Sequence, residues 1–309
     1  MDIQKIHPEL RQVYKYLPAI PFHQPFTQGL MRFVLGLARR PRLGNGVSVK
    51  RFQIGSTAIR VYRPLNDFSG AGLLWMHGGG FMVGAAAQDE ALCSRFAREL
   101  GLVVVSVEYR LAPEYPFPAA LDDCFAAWRW MGDNPELNID LNRIAIGGMS
   151  AGGGLAASLA QRILDIGGTQ PAAQLLFYPM LDDRTACNRD LDLLQHPLWN
   201  NQNNRGGWTA YLGQEPGQPQ VPDYSVPARR PDLSALPPAW IGVGDIDLFY
   251  DENRLYAERM NSAGANCDLY VVPCAPHGFQ VVVPTAEISK SFMDNAVEFL
   301  SRTLNLRLP

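Results

Sequence analysis

The chain has no apolar run long enough to cross a bilayer, and its opening residues, Met1-Asp2-Ile3-Gln4-Lys5-Ile6-His7-Pro8, lack a charged start followed by an apolar stretch. Neither a membrane span nor a leader is expected, and residence in the cytoplasm follows as the expectation. Basic excess is missing too. With 27 Lys and Arg against 30 Asp and Glu the formal net charge is -3, so no cationic stripe is available to neutralise a phosphate backbone and nucleic acid is not an expected partner. Cysteine is scarce, at five residues: Cys93, Cys124, Cys187, Cys267 and Cys274. The count is odd and shows neither CxxC nor Cys/His ligand spacing, which argues against a disulfide framework and against a zinc site. Internal repeats and low-complexity tracts are absent from the sequence.

What is present is ample material for a core. The 309 residues are 47% hydrophobic and 18% charged, the profile of one large globular domain whose partner is a small molecule. Residues 1–45 place Phe26, Leu30, Phe33, Val34 and Leu37 at helical spacing among prolines at 8, 18, 21, 25 and 41, predicting short helices broken by turns. From residue 46 the pattern changes to short β-branched runs. Strands are predicted at 47–54, 57–62, 73–76, 102–107, 143–147, 173–177, 239–243 and 267–272, with helices at 151–163, 251–263 and 288–304. The first two strands alternate as an antiparallel edge pair does, and the later ones are nearly continuous apolar runs suited to burial on both faces. About eight strands with crossover helices make a doubly wound α/β sheet.

One stretch breaks the alternation. Residues 182–223 are rich in Asn, Asp, Gly and Gln, with Leu191, Leu194, Trp199, Trp208 and Tyr211 interspersed. It is too long for a plain connection, and its aromatics suit a lid that packs on something.

Two glycine motifs carry the chemistry. Gly148-Met149-Ser150-Ala151-Gly152 lies between a predicted strand and a predicted helix. Strand, sharp turn and helix lift a serine Oγ above a sheet edge and aim helix N–H groups at developing negative charge, making Ser150 a candidate nucleophile. His77-Gly78-Gly79-Gly80-Phe81 directly follows the strand 73–76. Three glycines leave backbone N–H groups unobstructed, so Gly78, Gly79 and Gly80, with Ala151, are candidate oxyanion donors, Gly79 foremost. His77 belongs to that loop and reads as a positioning residue. A serine also needs a base, and of the five histidines (His7, His23, His77, His196, His277) only His277 follows the last predicted strand, at the carboxyl edge where such sites assemble. A third member should fall between the two in the order Ser, Asp, His. Asp251 and Glu252 open a helix and are expected as caps and dipole partners. Asp245 and Asp247 are left, and spacing alone does not choose between them.

Taken together, these segments resemble the hormone-sensitive-lipase-like esterases (bacterial family IV), a branch of the α/β-hydrolases. The resemblance runs in order through His77 to Phe81, Tyr109-Arg110-Leu111-Ala112-Pro113-Glu114 with Pro116 to Ala120, the turn around Ser150, Asp247 to Glu252, and His277-Gly278-Phe279. An aspartate four residues before an Asp-Glu pair is part of the family pattern, and this selects Asp247. The resemblance implies an α/β-hydrolase fold of 46–309 capped by 1–45 and by the insertion 182–223. It also implies hydrolysis of carboxylic esters of short to medium acyl chain, without cofactor or metal. The Tyr109 to Ala120 block is expected to be scaffold, shaped by prolines and an internal Arg–Glu pair. Two departures stand out: Met149, where many relatives carry Asp or Thr, and Leu248 in place of the common Pro. A receptor of the same fold and an amidase or peptidase with the same triad are the alternatives, and plant gibberellin receptors, which are similar, lack the histidine that this chain has. Pairing of two copies through the strand 267–272 is the expected assembly, if there is one.

Overall fold

A computed structural model of the chain describes residues 2–18, 20–37, 46–194 and 196–306. Residues 38–45, the end of the expected N-terminal segment, lie outside the described residues. All eight expected strands form: β1 (Val47–Ile54), β2 (Thr57–Pro64), β3 (Gly72–Met76), β4 (Val103–Glu108), β5 (Ile144–Met149), β6 (Ala173–Phe177), β7 (Ala239–Gly244) and β8 (Cys267–Val272). They join in one sheet of order β1-β2-β4-β3-β5-β6-β7-β8. β2 runs antiparallel to both β1 and β4, and every later pairing is parallel. The inner strands follow the sequence pattern, since every residue of β3, β5, β6 and β7 is buried, but the alternation expected of the first two is not kept: β1 faces water along most of its length, and β2, flanked by β4 on its other side, is mostly buried.

Alternate residues of each inner strand serve two cores. Leu74 and Met76 face the layer formed by α4 (Ala119–Asp133), α5 (Ala151–Ile166) and α7 (Tyr250–Ser262). Leu73 and Trp75 face α3 (Glu90–Leu100) and the closing helix Glu287–Thr303. The pleat's period of two divides one apolar run between two helical layers. The chain leaves β3 toward β4 on one side, and after β5 continues to β6 on the other. That reversal opens a crevice at the carboxyl ends of β3 and β5, the place where open α/β sheets bind ligands.

Over this edge lie α1 (Pro8–Tyr14) and α2 (Pro25–Leu37), and from the stretch 182–223 two 3-10 turns (Asp183–Cys187, Arg189–Leu194) and α6 (Asn201–Leu212). The Asn203 side chain links the two groups, its amide donating to the Ile20 carbonyl at 2.9 Å and its oxygen receiving the His23 N–H at 3.2 Å. The internal Arg–Glu pair expected in the Tyr109 to Ala120 block does not form. Arg110 instead grips Asp123 of α4 at 2.9 Å, and Glu114 pairs with Arg32 of α2 at 2.9 Å. Asp123 wins because its carboxylate, buried at the side of α4, takes both the Arg110 backbone N–H and the guanidinium, a fork that a carboxylate on the exposed loop does not offer.

Candidate active site

The turn from β5 into α5 is strained where the chemistry needs it. Ser150 has φ 55° and ψ -120°, a conformation costly for a residue with a side chain and imposed by what surrounds it. Its N–H donates to the Phe177 carbonyl at 2.9 Å, and its carbonyl receives Met180 and Gly154 N–H groups at 3.0 Å each. The flanking glycines have no room for a side chain: a Cβ on Gly148 would stand 2.4 Å from the Gly152 carbonyl oxygen, and one on Gly152 2.2 Å from that of Met76.

Above this turn three side chains from three strand ends meet. Ser150 Oγ lies 3.0 Å from His277 Nε2, and His277 Nδ1 lies 2.8 Å from Asp247 Oδ2. Asp247 Oδ1 accepts the Phe249 N–H at 2.8 Å, so both carboxylate oxygens are occupied and the imidazole is held in one orientation. Asp245, the other aspartate of that turn, faces away and accepts the Cys274 N–H at 2.6 Å. Phe249 and Tyr178 stand edge-on to the His277 ring, at centroid distances of 5.2 and 4.6 Å. From the N-terminal segment, the Tyr14 hydroxyl donates to the His277 carbonyl at 3.3 Å, and the His7 N–H to that of Cys274 at 2.8 Å.

The glycine loop after β3 is set by its carbonyls. His77 Nδ1–H donates to the Gly78 carbonyl at 2.8 Å, and the Gln88 amide donates to the same oxygen at 3.1 Å. In a trans peptide the next N–H points the opposite way, so pulling the Gly78 carbonyl back turns the Gly79 N–H forward. The Gly79 carbonyl likewise receives Met82 and Val83 N–H groups at 3.1 and 3.0 Å, which turns out the Gly80 N–H. Gly79 and Gly80 hold φ of +132° and +59°, which glycine alone adopts freely. Ala151 opens α5, so its N–H has no acceptor within the helix. The Gly78 N–H sits one peptide nearer the sheet.

His77 is stacked on Tyr109 at 4.1 Å, and the Tyr109 hydroxyl donates to the His77 carbonyl at 2.7 Å. Complete burial pushes the His77 pKa down, which keeps the ring neutral and its single Nδ1–H committed to the Gly78 carbonyl. Met149 lies below the turn with its sulfur 3.8 Å from the Tyr178 hydroxyl, a weak contact because a thioether is a poor acceptor. Glu252 sits in the first turn of α7 as expected, but its role there goes beyond the helix dipole. Its buried carboxylate accepts the Leu181 and Asp182 N–H groups at 2.7 and 3.3 Å and the Thr185 hydroxyl, tying down the entrance to the insertion. Gln88 had no signal in the sequence, and for Glu252 the sequence marked the helix start but not its backbone partners, which lie 70 and 71 residues away.

A serine bonded to a histidine that is bonded in turn to a buried aspartate, beside a glycine loop at the carboxyl edge of a mostly parallel sheet, is an arrangement found in the α/β hydrolases. The chain belongs to that family: the sequence profile of the α/β-hydrolase fold matches residues 73–281. It is 32% identical over 290 residues to Esterase LipI of Mycobacterium tuberculosis, a match covering 88% of this chain and 89% of the relative. Among solved structures, a bacterial heroin esterase superposes with a TM-score of 0.90 at 36% identity, covering 98% of this chain and 99% of the other. An esterase from the bacterial hormone-sensitive lipase family superposes with a TM-score of 0.79 at 29% identity, covering 96% of this chain and 99% of the other. The resemblance read from the ordered motifs is thereby shown. Among the described residues no helix is long and apolar enough to cross a membrane.

Proposed function

We propose that the protein is a serine carboxylesterase that hydrolyses small esters of short to medium acyl chain through an acyl-enzyme. Ser150 is the nucleophile, His277 the general base and Asp247 the residue that orients it. The observation that carries this reading is the bonded series Ser150 Oγ, His277 and Asp247, at 3.0 and 2.8 Å, beside the N–H groups of Gly79, Gly80 and Ala151. As Oγ attacks the ester carbonyl carbon, its proton passes to His277 Nε2 and the carbonyl oxygen becomes an anion held by those N–H groups. Collapse expels the alkoxide, which takes the proton from His277. Water then repeats the sequence on the acyl-enzyme and releases the acid. Residues 1–45 and 182–223 act as the cap that shapes the substrate pocket.

The test is hydrolysis of p-nitrophenyl esters from acetate to palmitate by the wild type and by Ser150→Ala, with a matched ester and anilide compared in parallel. A short-chain optimum that disappears in Ser150→Ala supports the reading. Activity surviving the substitution removes Ser150 from its role, and a preference for the anilide makes the protein an amidase. Two further readings accompany this one. β8 is a terminal strand of the sheet and so a template for a second copy, and light scattering would then read twice the 34.2 kDa of one chain. Five unpaired cysteines favour the reducing cytoplasm, which fractionation tests.

A further inference from the structure

The segment His196-Pro197-Leu198-Trp199 spans the cleft. Its Leu198 side chain presses on the loop of the histidine, where a Cβ on Gly278 would stand 2.7 Å from Leu198 Cδ2. One residue on, Trp199 presses on the other half of the site: a Cβ on Gly80 would stand 2.0 Å from the Trp199 ring. The segment turns tightly to reach both, with Leu198 at φ 64° and the Trp199 N–H bonded to the Pro197 carbonyl at 2.7 Å. A non-glycine residue in that region is strained, so the packing on either side holds it there. Trp199 itself is 4% exposed and leans on Phe22 of the N-terminal segment at 5.8 Å between ring centroids. Ser150 beneath this roof is only 5% exposed.

An ester carbonyl oxygen bound at the Gly80 N–H brings one arm of its ester against the Trp199 ring, because the ring lies in contact with the backbone carrying that donor. The indole therefore takes up space into which a longer arm would extend. Its Nε1–H is buried without an acceptor, so it is aimed at no protein group in the closed site. We propose that Trp199 is the specificity-determining wall of the substrate cleft, limiting the length of the ester arm that lies along the glycine loop. This rests on the ester-hydrolase reading of the same site. The substrate class it implies is a compact ester, short on that arm.

The experiment compares kcat/KM of wild type, Trp199→Phe and Trp199→Ala over two series, p-nitrophenyl esters of increasing acyl length and acetates of increasing alcohol length. In Trp199→Ala the optimum moves to longer chains in one series, which identifies the arm. The ester two methylenes beyond the wild-type optimum gains roughly ten-fold relative to that optimum, as expected for newly buried methylenes. Trp199→Phe, which keeps a shorter ring, falls between the two. Should the alanine protein not fold, Trp199→Leu retains an apolar contact to Phe22 while withdrawing the outer ring, and reads the same shift. Profiles that superimpose on the wild type in both series overturn the wall. Failure of the wild type to turn over any ester overturns the functional reading itself, and the wall falls with it.

Discussion

The floor of the site and its roof are built on different principles. The floor is largely backbone against backbone: strands β3 and β5 carry the glycine loop and the serine turn, and a Cβ on Gly79, Gly148 or Gly152 would meet a carbonyl oxygen at 2.0 to 2.4 Å. The roof is held by side chains reaching across. Arg32 of α2 donates to the Met82 and Ala112 carbonyls at 2.7 and 2.6 Å and to the Glu114 carboxylate at 2.9 Å, and Asn203 binds the N-terminal segment to α6. The contrast teaches where each property of the enzyme resides. Oxyanion stabilisation needs donors fixed in advance, which main chain held in a sheet supplies. Selectivity needs a surface that differs between relatives without disturbing that frame, which side chains on an attached cap supply.

Substitutions sharpen this division, and the largest effect belongs to the floor. Asp247→Asn keeps the shape of the carboxylate but offers the wrong partner to His277 Nδ1–H. We expect kcat to fall by about 10³ to 10⁴ in steady-state assays while the melting temperature stays near that of the wild type. Gln88→Ala removes one of the two donors that pull back the Gly78 carbonyl, and His77 remains. A fall of roughly ten-fold in kcat with KM little changed is expected, since the loss concerns a donor that acts in the transition state. An equal loss in KM alone would place Gln88 in ground-state binding. At the roof, Arg32→Ala should raise KM about two- to five-fold and leave kcat close to the wild type, because part-exposed charge pairs contribute little individually. A fall in kcat as large as that of the Gln88 variant would erase the distinction between floor and roof.

The smallest expected effect concerns what the floor costs in stability. Asp89, behind β3, accepts the Trp75 indole N–H at 2.8 Å, and burial pushes its carboxyl pKa up to about 7. Between the ordinary carboxylate range and about 7 the folded protein keeps this proton while the unfolded chain has lost it. The contribution of Asp89 to stability therefore declines as pH rises through that window and stays low above it. Asp89→Asn keeps an acceptor for Trp75 without the charge. Its melting temperature should exceed that of the wild type by roughly 3–6 °C at pH 8, and the gain should shrink toward pH 4. A gain independent of pH would show that Asp89 is not the titrating group.

Much of the floor was legible in the sequence and little of the roof. Strands β3 to β7 show as apolar runs because burial on both faces favours that composition, and the glycines of 77–81 and 148–152 mark backbone that tolerates no side chain. Asp245 and Asp247 were indistinguishable by spacing, since two residues of one turn differ only in the direction they face, and that direction depends on Cys274 and His277 across the site. Helix α6 was hidden by its three Asn and two Gly, poor helix formers held instead by Trp208 and Tyr211 packing around Phe81. The partner of Glu114 lies 82 residues away in α2, beyond any local pattern. Position in the roof is tertiary information, and Trp199 carried no mark that set it apart from Trp208.

The bond from the Tyr14 hydroxyl to the His277 carbonyl joins residues 263 positions apart. During synthesis helix α1, which carries Tyr14, emerges well before the loop it braces, which follows the last strand of the sheet. Most of the sheet can be in place while this brace is still open. Closure of this brace is therefore one of the last steps in assembling the site, because it waits for the loop that follows β8.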